Sequence, residues 1–248
     1  MSFPVVEGTR FERFRLNELF DYNRYVVQEF FKDCGTAREV AEKVIRAIQY
    51  PLYMGQPDDR HCVNWFHGKF CRCITDDYWA MPWEVIVCGY GDCEDSSVLT
   101  ASGMRLKGVP PENVYVSFGV VKDAQTQEIL GGHAYVFCRD PSFNSDKYVL
   151  VETTLDTPPP RYPEVGSTLE DLKKSFAWEG IVYVPEQLFN DSIYVEIKPL
   201  ITMRERRMRE RKEKYEAIMR AWKIRTKYHV ALERSILHRM KRALRLAR

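Results

Sequence analysis

The stretch GYGDCEDSS, residues 89–97, places a thiol, Cys93, between two carboxylates where an apolar helical pattern begins. A cysteine attacks as the thiolate, and the dipole and N–H groups of a helix N-terminus lower its pKa and can bind an oxyanion. Asp92 and Glu94 oppose this effect through their negative charge. The stretch therefore predicts a nucleophilic Cys93 that needs an imidazole from elsewhere in the chain.

His133 is the candidate imidazole, because it begins a predicted strand directly after two glycines that let a substrate backbone approach. A catalytic histidine is best oriented by a carboxylate on its far nitrogen. Glu152 lies on the next predicted strand, and pairing residue 133 with 152 would place both side chains on one face. That register sets residue 135 opposite 150 and residue 137 opposite 148. Asp156 is the alternative third member, beyond the strand.

These residues carry a resemblance to a known superfamily. GDCEDSSVLTASGMRLKGV, GGHAYV and YVLVETT, in this order, resemble the transglutaminase-like cysteine hydrolases, and more narrowly the bacterial transglutaminase-like cysteine proteinases. The resemblance covers residues 76–156 and implies a papain-like fold with Cys93, His133 and Glu152 as the triad. Glu152 stands where the family usually has Asp. The upstream DDYWAMPWEVI resembles the family's Trp-x-x-Pro stretch and implies that Trp79 belongs to the cleft, with Asp92 and Glu94 beside the thiol.

The resemblance implies acyl transfer from an amide through a thioester, with a protein or peptide as substrate. Water as acceptor gives a protease or amidase, whereas an amine as acceptor gives a transglutaminase. The third alternative is a non-catalytic adaptor that acts through the basic C-terminal segment. Some proteinases of this type bind calcium, which Asp92 and Glu94 would hold here; no other cofactor is expected.

The coarse order of elements predicts an α+β fold, with helices followed by a mainly antiparallel sheet. The catalytic helix, over 93–107, would pack on that sheet. Capping boxes at Thr36–Glu39 and Ser167–Glu170 predict helices ending before Pro51 and at about Trp178. The remaining predicted helices cover 10–20, 23–32 and 82–88. The predicted strands cover 114–121, 133–139 and 147–154, followed by IVYV and IYVEI.

The C-terminal segment differs sharply in charge from the rest of the chain. Residues 203–248 hold 17 Lys and Arg against 5 Asp and Glu, whereas residues 1–202 carry a net negative charge. The sequence therefore predicts a hydrolase domain over 1–202 and a long basic helix over 203–248. We expect the helix to dock on a protein partner or an acidic surface, with nucleic acid as a less favoured partner.

Cysteine usage and hydropathy bound the remaining possibilities. The seven cysteines are irregularly spaced and no secretory signal precedes them, which favours reduced thiols and a cytoplasmic location. No run of about 18 apolar residues predicts a membrane span. The cluster of His61, Cys62, His67, Cys71 and Cys73 contains zinc-ligand residue types, but its spacing fits no common zinc finger, so loop and core positions are favoured.

Overall fold

The computed structural model describes residues 3–7, 13–50 and 79–198. Within these ranges the larger helices precede an antiparallel sheet, which confirms the predicted mixture of elements. The helices are α1 (Tyr25–Phe30), α2 (Ala37–Ala47), α3 (Pro82–Cys88), α4 (Cys93–Leu106) and α5 (Leu169–Leu172). The strands are β1 (Val5–Glu7), β2 (Arg13–Arg15), β3 (Val114–Asp123), β4 (Ile129–Cys138), β5 (Tyr148–Val151), β6 (Glu164–Gly166), β7 (Phe176–Trp178), β8 (Ile181–Phe189) and β9 (Tyr194–Glu196).

Local signals account for the ends of three of the four predicted helices that the structure confirms. The Thr36 side chain caps α2 by accepting a hydrogen bond from the Glu39 amide, and the Glu39 carboxylate accepts one from the Thr36 amide. The helix α3 begins at Pro82, whose fixed φ suits the first helical position, and ends at Gly89 with φ of 74°. The helix α4 begins at Cys93, as predicted.

The main sheet has the strand order β6-β5-β4-β3-β8-β7, with β9 also paired to β8, and every pairing is antiparallel. The strands β1 and β2 form a separate pair. The long central strands β3 and β4 pair from Val114↔Cys138 to Lys122↔Ile129. They form the framework on which the candidate site residues are placed.

Two apolar clusters cover the faces of this sheet. One contains side chains of α2 and α4 together with Val116, Ala134 and Val136, so the helices pack on this face. Every residue of α4 from Cys93 to Met104 is buried. The second cluster covers the opposite face and includes Tyr135, Phe137 and Tyr183. Alternation along β4 therefore sends successive side chains to different cores.

Close packing of α4 depends on Gly103. A Cβ atom at this position would lie 2.6 Å from the Phe31 ring and 2.8 Å from a Val40 methyl carbon. The absence of a side chain there lets α4 approach the N-terminal helices, because a packed core does not accommodate such overlap without a shift.

Two element predictions are wrong. Residues 10–20 were expected to be helical, but Arg13–Arg15 is a strand and Leu16–Leu19 is a short 3₁₀ helix. The expected helix ending at about Trp178 is four residues long, capped by Thr168 rather than Ser167, and Phe176–Trp178 pairs with β8. Pairing with a neighbouring strand outweighs local helical pattern in both places.

Several predictions lie outside the described residues. They are the helical extension over 203–248 with its boundary after residue 202, and the cluster His61, Cys62, His67, Cys71 and Cys73. Among the helices within 3–7, 13–50 and 79–198, none combines the length and apolar character that crossing a bilayer requires.

Candidate active site

The sulfur of Cys93 meets β4 at an edge that no other strand covers in the described part of the chain. The strand β5 pairs with β4 across Val136–Cys138 alone. The Leu150 amide donates to the Pro163 carbonyl on the side of β5 away from β4, so the amides of the residues on either side of Leu150 point toward β4. Amides two residues apart along a strand point to the same side, so the Ala134 amide points to the edge of β4 that β5 covers further along. That amide donates to Cys93 Sγ. The first turn of α4 therefore takes the place that a longer β5 would occupy.

The surroundings of Cys93 hold its sulfur as a thiol. The residue is 7% exposed, and its Sγ–H donates to Glu94 Oε2 at 3.1 Å. Burial raises the Cys93 pKa well above 9.0, as do the charges of Glu94 and Asp92, while the bond from the Ala134 amide lowers it by less. The opposing effect of the acids was predicted. The position at the helix N-terminus does not by itself ionise the thiol, in keeping with the expectation that an imidazole is needed.

His133 and Glu152 form a close pair. The His133 Nε2 atom lies 2.7 Å from Glu152 Oε2, and since an ionised carboxylate accepts hydrogen bonds, the ring donates from Nε2. The pair brings together the two residues that the sequence proposed to interact. The Nε2 atom of His133 is thus the ring nitrogen that faces the acid.

The strand register that produces this contact differs from the predicted one. The structure pairs Phe137 with Leu150 and Val136 with Val151, two residues away from the expected alignment. Glu152 therefore follows the last pair of β5, and it reaches His133 as a diagonal neighbour rather than a direct one. A shift of two residues preserves the face, and a long side chain can span a diagonal contact. The predicted register is wrong, while the shared face is confirmed.

Glu152 is buried but well supplied with donors. It is 4% exposed, and its Oε1 accepts from the Thr154 amide at 3.0 Å and from Thr154 Oγ1 at 2.8 Å. Its Oε2 accepts from the Tyr183 hydroxyl at 3.2 Å as well as from His133. Burial raises the pKa of Glu152, but the charge and hydrogen bond of His133 and the two bonds from Thr154 outweigh it and leave the pKa below 4.5. The carboxylate is therefore ionised at neutral pH.

A cleft of about 290 Å³ gives access to this pair. His133 and Glu152 line it together with Trp178, Ile181 and Tyr183. A second cleft of about 260 Å³ is lined by Arg46, Gly91, Thr154 and Asp156 among others. Asp156 is exposed at that second cleft, and the contact with His133 is made by Glu152.

Trp79 lies in the helix-side core rather than at either of these clefts. It is 2% exposed and belongs to the same apolar cluster as Cys93, with its ring 5.8 Å from Phe118 and 5.9 Å from Phe189. Its indole N–H is buried with no hydrogen-bond partner among the described residues. Buried polar groups in folded proteins usually have a hydrogen-bond partner, so this N–H is an exception within the described ranges.

The acids beside Cys93 are deeply buried. Asp92 is 1% exposed and Glu94 is 4% exposed, while Asp95 accepts from the Ala80 amide at 2.7 Å. Carboxylate oxygens suit calcium, but calcium takes six to eight oxygen ligands. Within the described ranges, no group of three or more His, Cys, Asp or Glu side chains is arranged to hold a metal ion. Asp92 and Glu94 thus match calcium in ligand type but do not form a complete site by themselves.

Sequence reasoning missed two residues that contact Glu152. Thr154 stands in the VETT stretch, where the acid-x-Thr pattern could have identified it. Tyr183 lies 31 residues after Glu152, on the strand that the sequence predicted at IVYV. No local signal connects Tyr183 to the site, because β8 joins the sheet beside β3 only in the folded chain.

Comparisons with known proteins give structural likenesses alone. No protein-family model matches the chain, and no curated protein matches it. Legionella pneumophila LapG in its calcium-bound form is 16% identical over 70% of this chain and 75% of that chain, with a TM-score of 0.37. Another LapG structure from the same organism is 16% identical over 73% and 84%, with a TM-score of 0.39. A protein from Cytophaga hutchinsonii proposed to be a cysteine protease is 9% identical over 74% and 54%, with a TM-score of 0.34. These values do not assign the chain to a family.

Proposed function

We propose that this protein is a cysteine-dependent hydrolase with a papain-like, transglutaminase-like fold. It would cleave an amide bond in a protein or peptide through a thioester, with Cys93, His133 and Glu152 as its triad. The observation that carries the proposal is the backbone contact between the two halves of the site. The sulfur of Cys93 accepts from the amide of Ala134, the residue directly after His133, and His133 is hydrogen-bonded to Glu152.

The raised pKa of Cys93 defines how the first step would proceed. Because the resting sulfur is protonated, His133 would act as a general base through Nδ1 when the substrate carbonyl is in place. The sulfur would attack the carbonyl carbon, and the proton would pass to the imidazole. Glu152, ionised and bonded to Nε2, would stabilise the imidazolium.

In the remaining steps His133 would first donate a proton to the leaving amine and then accept one from water. The negative oxygen of the tetrahedral intermediate would be stabilised by main-chain N–H groups at the start of α4, with the buried indole N–H of Trp79 as a further candidate. The imidazolium would give its proton to the leaving amine, and a thioester on Cys93 would remain. Water, deprotonated by His133, would then attack the thioester, release the carboxylic acid and return the proton to the sulfur.

Transfer to an amine in place of water would use the same triad, so the test must separate the two products. A complex peptide mixture is incubated in H₂¹⁸O with a primary-amine probe, with added calcium in one arm and EGTA in the other. The protein forms compared are the wild type, Cys93→Ala and Cys88→Ala. Cys88 is a matched control because it is a more exposed thiol at the end of α3, with a pKa raised to about 11.

We expect new carboxyl termini carrying ¹⁸O with the wild type and with Cys88→Ala. Cys93→Ala should lower their yield by at least about a thousandfold. Amine-labelled glutamine in place of new termini would identify a transglutaminase. Products that persist in Cys93→Ala would exclude Cys93 as the nucleophile. Loss of activity with EGTA would support calcium ligation by Asp92 and Glu94.

A further inference from the structure

Glu152 is a buried anion that receives four hydrogen bonds within the described part of the chain. Two come from Thr154 to Oε1, and two come from His133 and Tyr183 to Oε2. An ionised carboxylate removed from water needs donors of this kind, because its lost hydration is otherwise uncompensated. His133 shares its acceptor oxygen with the Tyr183 hydroxyl, so the two donors divide the charge of one atom.

Tyr183 is held rigidly where its hydroxyl meets that oxygen. The residue is 2% exposed, and its ring stacks on Phe176 with centroids 4.9 Å apart and an interplanar angle of 5°. The Tyr183 and Tyr135 rings meet edge to face, with centroids 5.0 Å apart and an interplanar angle of 83°. Phe176 is also its direct partner across the β7–β8 pair. The position of the hydroxyl is thus set by the packing of three aromatic rings rather than by the carboxylate.

The hydroxyl is a donor at every pH at which the protein is expected to act. Burial raises the Tyr183 pKa, and the charge of Glu152 and its hydrogen bond raise it further. The phenol therefore keeps its proton. A protonated phenol and an ionised carboxylate have complementary roles, so the bond does not depend on a shared proton.

We propose that Tyr183 is a positioning residue, whose hydroxyl fixes the Glu152 carboxylate against His133 Nε2 and carries part of its charge. The proposal rests on the proposed triad for its meaning in catalysis, since it assigns the residue that orients the acid. Tyr183 acts on the imidazole indirectly, because its hydroxyl and His133 Nε2 both donate to Glu152 Oε2. Through this bond the β7–β8 hairpin helps to set the position of the carboxylate that faces the His133 ring.

Removal of this donor should make Glu152 depend more strongly on His133. Without the bond from Tyr183, the Glu152 carboxylate is stabilised less. A protonated His133 ring compensates for this loss better than a neutral ring does. The imidazole pKa should therefore rise, by roughly half a unit to one unit. The titratable side chains that line the cleft with His133 are Glu152, Glu179 and Tyr183, and Tyr135 lies beside its ring at 6.0 Å. Glu179 is unchanged in every variant, so its effect cancels in the comparison.

The test is ¹⁵N NMR titration of His133 in the full chain, with the resonance assigned by His133→Gln. Tyr183→Phe keeps the stacked ring and removes one oxygen, so the fold should be retained. Tyr135→Phe is the matched control, because it removes from the same aromatic cluster a buried hydroxyl that makes no hydrogen bond to Glu152. We expect an upward pKa shift in Tyr183→Phe and a change below about 0.2 units in Tyr135→Phe. Equal shifts in the two variants, or no shift in Tyr183→Phe, would overturn the proposal.

Thr154 supplies a second pair of variants in case Tyr183→Phe does not fold. Thr154→Val removes the hydroxyl bond to Oε1, whereas Thr154→Ser keeps it. We expect the imidazole pKa to rise in Thr154→Val and to stay at the wild-type value in Thr154→Ser. If neither residue moves the pKa, donors to Glu152 do not tune the imidazole and the role assigned to Tyr183 is wrong.

The titration also separates this proposal from the proposed hydrolase function. It needs no substrate, and it can be repeated in Cys93→Ala. A pKa shift in a protein without amide-cleaving activity would support the Tyr183–Glu152–His133 connection and contradict hydrolysis. Activity without a shift would contradict the connection and leave the triad in place.

Discussion

Cys93 and Glu152, in the two halves of the candidate site, are both shielded from water, but their pKa values are shifted in opposite directions. Cys93 is 7% exposed and Glu152 is 4% exposed. The Cys93 pKa lies well above its ordinary value, because of burial and the charges of Glu94 and Asp92. The Glu152 pKa lies below its ordinary value, because its partners outweigh its burial. Burial alone therefore does not decide the ionisation of either group.

The difference lies in what surrounds each group. The sulfur of Cys93 receives one main-chain amide and faces two carboxylates, whereas Glu152 receives hydrogen bonds from His133, Thr154 and Tyr183. The carboxylate is thus held ionised beside the imidazole, whereas the thiol of Cys93 is held uncharged. A thiol in this state would be activated with the substrate present rather than beforehand.

The largest expected effect that distinguishes the halves is on the free energy of unfolding. Glu152→Ala leaves the donors of His133, Thr154 and Tyr183 without their acceptor, and we expect a loss of about 3 kcal/mol. Cys93→Ala removes one buried sulfur with its bonds to Glu94 and to the Ala134 amide, and we expect a smaller loss of about 1 kcal/mol. Urea denaturation followed by circular dichroism would measure both. Equal losses would mean that the thiol half stabilises the fold as strongly as the His133–Glu152 half.

The pH dependence of the free energy of unfolding should distinguish Glu152, which acts at acidic pH, from Cys93, which acts at alkaline pH. The folded pKa of Glu152 is depressed, so its contribution is present above about pH 4.5 and is lost as the pH falls through the folded pKa. The folded pKa of Cys93 is raised, so its contribution is complete below about pH 9 and is lost as the pH rises toward the folded pKa. Each group changes stability by at most about 1.4 kcal/mol per pH unit in its window.

Matched variants isolate these two windows in thermal or urea unfolding. Cys93→Ala should flatten the decline in stability above about pH 9, and Glu152→Gln should flatten the decline below about pH 4.5. Each variant should leave the slope in the other window unchanged. If Cys93→Ala leaves the alkaline slope as it is in the wild type, the thiol ionises as readily in the folded chain as in the unfolded one.

The smallest expected effect concerns Asp156, which sharpens the assignment of the acid. Asp156 is exposed and lies at the second cleft, so Asp156→Asn should change stability by less than about 0.5 kcal/mol. It should also leave the His133 titration unchanged. An imidazole pKa in Asp156→Asn that moves as far as in Glu152→Gln would show that Asp156 competes for His133.

Short-range chemistry made much of the site predictable. The start of α4 at Cys93, the capping of α2 by Thr36 and the strand that carries His133 all follow from neighbouring residues. Glu152 was also found, because strand alternation sets the face and a register error of two residues does not change it. The predicted register assumed that β5 extends to Glu152, whereas its pairing with β4 ends at Val151. No local pattern in the sequence marks that end.

What the sequence by itself determined is the set of reactive groups and the elements that carry them. The tertiary structure alone decided the charge on Cys93, the diagonal contact of Glu152 and the arrival of Tyr183 from β8. The physical reason is that periodicity and capping act over a few residues. Desolvation, strand order and hydrogen bonds across a sheet depend on groups that meet only when the chain has folded.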